Sequence, residues 1–231
     1  NLNPAQERRL YIMEVKVVRR LLKANDEWAA RTREWLTSNH ILALNLISSP
    51  GSGKTTLLEQ TAKTLRDKYR MLVLEGDIAT TRDADRISRH DVPAVQLLTE
   101  GSCHLDAHLV YSALEQQALD KLDLLFIENV GNLVCPSEYD LGEAAKVALL
   151  SVTEGDDKVL KYPRIFHNAK CVVLNKIDLI PHLDFKREVF YDDMKQINPD
   201  AVILEVSCRT GEGLDQWYGW LDAQMKAVKE S

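Results

Sequence analysis

Directly after the apolar run Ile41–Ile47 stands Ser48-Ser49-Pro50-Gly51-Ser52-Gly53-Lys54-Thr55-Thr56, followed by the helical Leu57-Leu58-Glu59-Gln60. No other stretch constrains the fold as tightly. Two glycines let the backbone curl until successive N–H groups point inward at anionic oxygens, and the dipole of the following helix adds partial positive charge at the same spot. Such a loop works only between a strand and a helix. Gly51, Ser52, Gly53 and Thr56 form the cradle, Lys54 reaches outer phosphates, and Thr55 offers a hydroxyl to Mg²⁺. The usual pattern opens with Gly where this chain has Ser48. Ser tolerates fewer backbone conformations, so the loop's opening is expected to be less demanding here. Read instead as a turn without a ligand, the segment leaves Lys54 and Thr55 no reason to follow the second glycine.

The rest of the chain agrees with that local geometry. Short apolar runs, Ile41–Ile47, Met71–Leu74, Ala94–Leu97, Leu122–Ile127, Val147–Val152, Cys171–Leu174 and Val202–Val206, are separated by helix-like sequence. Strands alternating with helices imply an α/β fold: a mainly parallel sheet with helices on both faces. From Pro4 to about Ser38, Leu10, Met13, Val17, Leu21 and Leu36 recur at three- and four-residue spacings among Arg and Glu, which predicts an amphipathic helical extension. It is expected to pack on the main domain, with a dimer contact as the other use. Ten Gly and seven Pro among 231 residues are too few for a fibrous or low-complexity chain, and no run reaches the roughly 18 apolar residues of a membrane span. A net charge of -6 disfavours general nucleic-acid binding. Four scattered cysteines behind no apolar leader read as cytosolic thiols, and the expected location is cytoplasmic. The chain begins at Asn1, which leaves open what precedes it.

Parallel sheets bind ligands at the carboxyl ends of their strands. Glu75-Gly76-Asp77 ends the second run and places Asp77 or Glu75 near Mg²⁺; Glu128-Asn129-Val130-Gly131 ends the fourth, where a switch with an acidic residue and a mobile glycine is expected. Asn175-Lys176-Ile177-Asp178 ends the sixth. A carboxylate at Asp178 accepts both the ring N–H and the exocyclic amine of guanine, a donor pair adenine lacks, while the Lys176 stem lies along the base. Ser207 to Gly213 then stands ready to close over it, so GTP is favoured over ATP. Cys103 and His104 are adjacent, and Cys135 follows soon after Glu128. Thiolate and imidazole suit Zn²⁺, Ni²⁺ or Cu, and an ion held there would sense the γ-phosphate. As plain small hydrophobes the same cysteines would simply be buried. Cys171 and Cys208 fit the core, and His108 fits the surface better than the metal.

The segments SSPGSGKTTLL, EGD, GSCHLDA, LLFIENVGNLVCP, DLGE, LSVTEGDDKVLKYP, LNKIDLIP and SCRTGEGLDQW resemble the HypB family, the nickel-insertion accessory GTPases of nickel–iron hydrogenase maturation, within the SIMIBI class of phosphate-loop GTPases. The likeness runs from about Ser48 to Trp217. It implies that Cys103, His104 and Cys135 bind Ni²⁺ or Zn²⁺, that Lys54, Thr55, Asp77 and Glu128 serve phosphate and Mg²⁺, and that Asn175 and Asp178 read guanine. It also implies homodimerisation on GTP binding, a second nickel-insertion accessory protein, and a hydrogenase large-subunit precursor as recipient. The cysteine-rich or histidine-rich N-terminal nickel motifs common in such proteins are not among these residues. The division expected is residues 1–39 as the helical extension and 40–231 as the GTPase domain with its embedded metal site.

Asn132 rather than Gln follows Gly131, and no arginine stands out as a built-in finger, so GTP hydrolysis to GDP and phosphate is expected to be slow. An accessory GTPase of the urease type is the nearest alternative, but its Cys-Pro-His arrangement is absent. A nickel or zinc carrier with a mainly structural nucleotide site is another. A small-molecule kinase would leave Asn175 to Asp178 unexplained.

Overall fold

The computed structural model describes residues 22–77, 82–99, 101–117 and 121–230. Residues 1–21, which hold most of the predicted N-terminal helix, lie outside them. Helix α1 spans 22–38, and its Leu36 and Trp35 join the core against Ile41 and Leu125. Strand and helix then alternate: β1 (Leu42–Ser48), α2 (Lys54–Leu65), β2 (Met71–Asp77), α3 (Arg82–Ser88), β3 (Ala94–Leu98), α4 (Ala107–Glu115) and β4 (Leu124–Glu128). The second half runs β5 (Ala145–Ser151), α5 (Lys158–Lys161), α6 (Pro163–Asn168), β6 (Ala169–Asn175), α7 (Arg187–Ile197), β7 (Val202–Val206) and α8 (Leu214–Glu230). All seven expected strands form, with ends shifted by a few residues.

The seven strands make one sheet in the order β3-β2-β4-β1-β5-β6-β7, and every recorded pairing is parallel. Alternation along β1 explains the layers, because successive side chains point to opposite faces. Leu42, Leu44 and Leu46 join Leu57 and Leu58 of α2, Ile87 of α3 and Trp217 of α8. On the other face, Ala43 meets Val110 of α4, and Ile47 belongs with Ile165 of α6 and Phe190 of α7. A strand buried on both faces must be apolar throughout, which is why β1 shows no polar alternation apart from Asn45 and Ser48. Among the described residues, no helix is long and apolar enough to cross a membrane.

The strand order positions the site. From β1 the chain passes over β4 to reach β2, and from β4 it passes back over β1 to reach β5. Connections therefore leave the carboxyl ends of β1 and β4 in opposite directions, opening a crevice at the tip of β1.

Trp217 of α8 is fully buried and donates its indole N–H to Thr61 Oγ1 of α2 at 2.9 Å, so it clamps the phosphate-loop helix to the sheet from behind. Trp217→Ala should cost roughly 3 to 5 kcal/mol of unfolding free energy in urea denaturation, from lost burial and the cavity left behind.

Candidate nucleotide and metal site

The loop 49–53 leaves β1 and turns into α2 through two residues of positive φ, Gly51 at 75° and Gly53 at 103°. At Gly53 the constraint is also steric, since a Cβ would lie 2.4 Å from Asn175 Nδ2. That amide is pinned: Nδ2 donates to the Ser52 carbonyl at 2.9 Å, and Oδ1 accepts from the N–H groups of Lys176 at 2.8 Å and Cys208 at 3.2 Å. Asn175 thus ties the loop, the end of β6 and the segment after β7 into one unit. No side chain caps α2, which leaves its first N–H groups to face an anion.

Ser48 fits the expectation of an undemanding loop opening. It is the last residue of β1, with ordinary extended backbone, so the loop opens without needing glycine. Its buried hydroxyl accepts from Lys54 Nζ at 2.9 Å and from the Ser52 hydroxyl, holding the lysine along the loop. Lys176 has φ 63° and donates to the Gly51 carbonyl at 2.7 Å. The Lys176 ammonium is thus anchored on the loop backbone, which leaves its aliphatic stem to lie along a base. Asp178 receives the Ser207 hydroxyl at 2.7 Å, so the two candidate base-side groups meet each other.

A cleft of about 530 Å³ opens above the loop, lined by Lys54, Thr55 and Thr56 together with Glu75, Glu128 and Gly131 from neighbouring strand ends. Thr55 Oγ1 donates to Glu128 Oε1 at 2.8 Å. Glu75 and Glu128 are direct partners in the parallel β2–β4 register and are both buried. Two carboxylates side by side repel one another, and a hard divalent cation with oxygen ligands resolves that repulsion, so the donor set fits Mg²⁺. The sequence left Glu75 and Asp77 as alternatives; Glu75 lines the cleft, while the Asp77 side chain lies outside the described residues. Arg86 of α3 also lines the cleft, a cation that the sequence does not single out. Nothing in its surrounding sequence marks it, since it lies about 30 residues beyond the loop in an ordinary polar helix.

The metal candidates converge from two segments. Sγ of Cys103 and Cys135 and a ring nitrogen of His104 all lie within 4.8 Å of one another. Cys103 Sγ is 3.7 Å from His104 Nδ1, and the imidazole stacks on Tyr139 at 3.8 Å between ring centroids. Burial pushes the His104 imidazole below its ordinary range, which favours the neutral ring a metal requires. The hydrogen bond with the Cys135 thiol alongside, helped by burial, holds Cys103 above its ordinary range. Cys171 and Cys208 sit in the core, and burial pushes the Cys208 thiol up to about 12. His108 is exposed and stands edge-on to Trp28, 4.8 Å between centroids, outside the cluster.

Between the two sites runs a buried amide chain that sequence reasoning missed. Asn129, next to Glu128, accepts the N–H of Leu105 at 3.2 Å and donates to Asn45 of β1, which donates to Glu143. Asn132 donates to the Cys103 carbonyl at 3.3 Å and accepts from Val134 N–H at 2.9 Å. Gly131 packs on the phosphate loop so closely that a Cβ there would meet Pro50 Cγ at 2.9 Å. The only available signal was the run of polar residues ENVGN at a strand end.

Residues 42–205 match the family model described as CobW/HypB/UreG, nucleotide-binding domain. The hydrogenase maturation factor HypB of Azotobacter chroococcum mcd 1 is 52% identical over 215 residues, 92% of this chain and 70% of that protein. The hydrogenase/urease maturation factor HypB of Helicobacter pylori (strain ATCC 700392 / 26695) is 43% identical over 212 residues, 90% of this chain and 87% of that protein. The crystal structure of HypB from Helicobacter pylori in complex with nickel superposes with a TM-score of 0.84 at 41% identity, covering 88% of this chain and 96% of that one.

Gly53→Ala should weaken nucleotide binding at least about ten-fold, because the new methyl group must displace the pinned Asn175 amide as well as adopt positive φ. Gly51→Ala, where a Cβ meets nothing within 4 Å, should carry the smaller cost of backbone strain alone. Titration with a fluorescent guanine nucleotide distinguishes the two.

Proposed function

The chain belongs to the CobW/HypB/UreG family and, within it, to the HypB hydrogenase maturation factors, and on that premise we propose that it is a slow GTPase that couples nucleotide state to nickel delivery. The observation that carries the reading is the meeting of Cys103, His104 and Cys135 within 4.8 Å, with Cys135 four residues beyond the cleft-lining Gly131. Nickel is the cargo. Two thiolates and one imidazole suit Ni²⁺ or Zn²⁺, and three protein ligands leave a position from which the ion can be handed on.

Lys54 and the N–H groups at the start of α2 hold the phosphates. Asp178, oriented by Ser207, reads guanine, and Asn175 positions the loop for it. Thr55 and Glu128, with Glu75 and Asp77 on the neighbouring strand, would hold Mg²⁺, which neutralises phosphate charge when bound. Asn132 is spent on the Cys103 carbonyl and on Val134 N–H, so it orients no attacking water, in keeping with slow hydrolysis. The same bonds make the backbone after Glu128 the physical link between phosphate and metal. GTP-dependent homodimerisation, a second accessory protein, a hydrogenase large-subunit precursor and a cytoplasmic setting complete the reading, with residues 1–39 as a helical extension of a GTPase domain at 40–231.

A urease-directed role is the second reading, because the Helicobacter pylori relative is a hydrogenase/urease maturation factor. Recipient binding separates the two.

Nickel titration in the presence of GDP and of a non-hydrolysable GTP analogue should give different affinities. The Cys103→Ala/Cys135→Ala double variant should lose stoichiometric nickel while keeping nucleotide affinity. Equal nickel affinities in both nucleotide states would remove the coupling, and stoichiometric nickel on the double variant would remove the site. Lys54→Ala, folded and still binding metal, should fail to deliver nickel; intact delivery would favour a pure carrier.

A further inference from the structure

Among the described residues, Arg86 is the one cleft-lining cation that neither the phosphate-loop pattern nor the guanine motif contains. Its guanidinium donates to Thr56 Oγ1 at 3.2 Å and pairs with the Glu59 carboxylate. Thr56 lies on the first turn of α2, where the anion-facing N–H groups are, and Glu59 stands one turn further along the same helix. The guanidinium therefore waits beside the phosphate cradle, held by a carboxylate. Its side chain is about one-third exposed, at 36%, so it is neither locked in the core nor free in solvent.

The charge of the cleft gives Arg86 a purpose. Among its described lining residues, Lys54, Arg86 and Lys176 face Glu75 and Glu128. A polyanionic nucleotide is drawn to cations at the rim of its site, and Arg86 adds one to the two lysines. The lysines are also partly occupied, Lys54 with Ser48 and Lys176 with the Gly51 carbonyl. Arginine's planar fork suits phosphate oxygens, and exchanging one oxyanion for another spares it the cost of giving up a water shell.

Resting on the nucleotide reading above, we propose that Arg86 is a phosphate-binding residue: on nucleotide binding its guanidinium leaves Glu59 and engages phosphate oxygens over the first turn of α2. Glu59 is its competitor, holding the guanidinium at the rim when no nucleotide is bound. Because Arg86 adjoins Thr56 rather than the Thr55–Glu128 pair, the phosphates it meets are those shared by GDP and GTP.

The test is equilibrium binding of GDP and of a non-hydrolysable GTP analogue to the full chain, with thermal melting followed alongside. Arg86→Gln should weaken both nucleotides about ten-fold, the scale of one charge-assisted phosphate contact, and Arg86→Lys should recover part of the loss. Glu59→Gln is the informative partner. If the ion pair were only a brace between α2 and α3, both substitutions would act alike. In the proposed exchange Glu59→Gln removes a competitor and tightens binding about two- to three-fold. Binding by Arg86→Gln within two-fold of wild type, or Glu59→Gln weakening binding as much as Arg86→Gln, would overturn the assignment. Wild-type protein that bound neither nucleotide would overturn the nucleotide reading beneath it.

Discussion

The hydrogen bond from Thr55 to Glu128 is the contact on which the rest of the site depends. It joins the first turn of α2 to the last residue of β4, and both ends are buried. Every group that faces the cleft is referred to it: Lys54 lies one residue before Thr55, Glu75 lies beside Glu128 in the sheet, and Gly131 follows three residues after. A bond of this kind is worth more at the wall of a cleft than in open water, because losing it would leave a carboxylate poorly solvated. It also fixes where the chain goes next, toward Cys135.

From that point a second set of buried polar groups spreads through the sheet. Asn129 touches Leu105 in the segment after β3, Asn45 in β1 lies beneath it, and Glu143 beyond receives Asn45, the Leu141 N–H and Lys146. Buried amides are tolerated in a core only when their donors and acceptors are met, and meeting them specifies one arrangement. The segment carrying Cys103 and His104 is thus held in register with the one carrying Cys135, with Asn132 as a direct strap between them. In the proposed function this shared backbone lets an ion at the surface respond to phosphate in the cleft. Arg86, paired with Glu59 at the rim of the cleft, belongs to the same economy of few charges in a small space.

Legibility varied with the range of the physics involved. The phosphate loop was readable because glycine spacing, lysine and threonine act over nine residues of contiguous backbone. The strands were readable because double-sided burial leaves unbroken apolar runs, as in Leu122–Ile127. Cys103, His104 and Cys135 were nameable from donor chemistry and family resemblance, and the fold brings them together. The undemanding opening expected at Ser48 holds, but its hydroxyl is also a hub, and hydrogen-bond partners cannot be read from a one-residue departure. The guanine role implied for Asn175 says nothing of the three backbone groups that its amide also bonds. Arg86 was missed altogether, because nothing local separates a cleft arginine from a solvent-facing one on a short polar helix.

The amino-acid sequence by itself determined the parallel α/β architecture, the anion-binding turn and the types of donor on offer. Each follows from side-chain periodicity or from backbone geometry within one or two turns of chain. The tertiary structure decided which of those donors meet. Pairing β2 with β4, and inserting β1 between β4 and β5, aligns Glu75 with Glu128, brings Arg86 over α2, and folds the segments after β3 and β4 against each other. Such meetings depend on the order of strands across the sheet, and that order is settled by the packing of both faces at once.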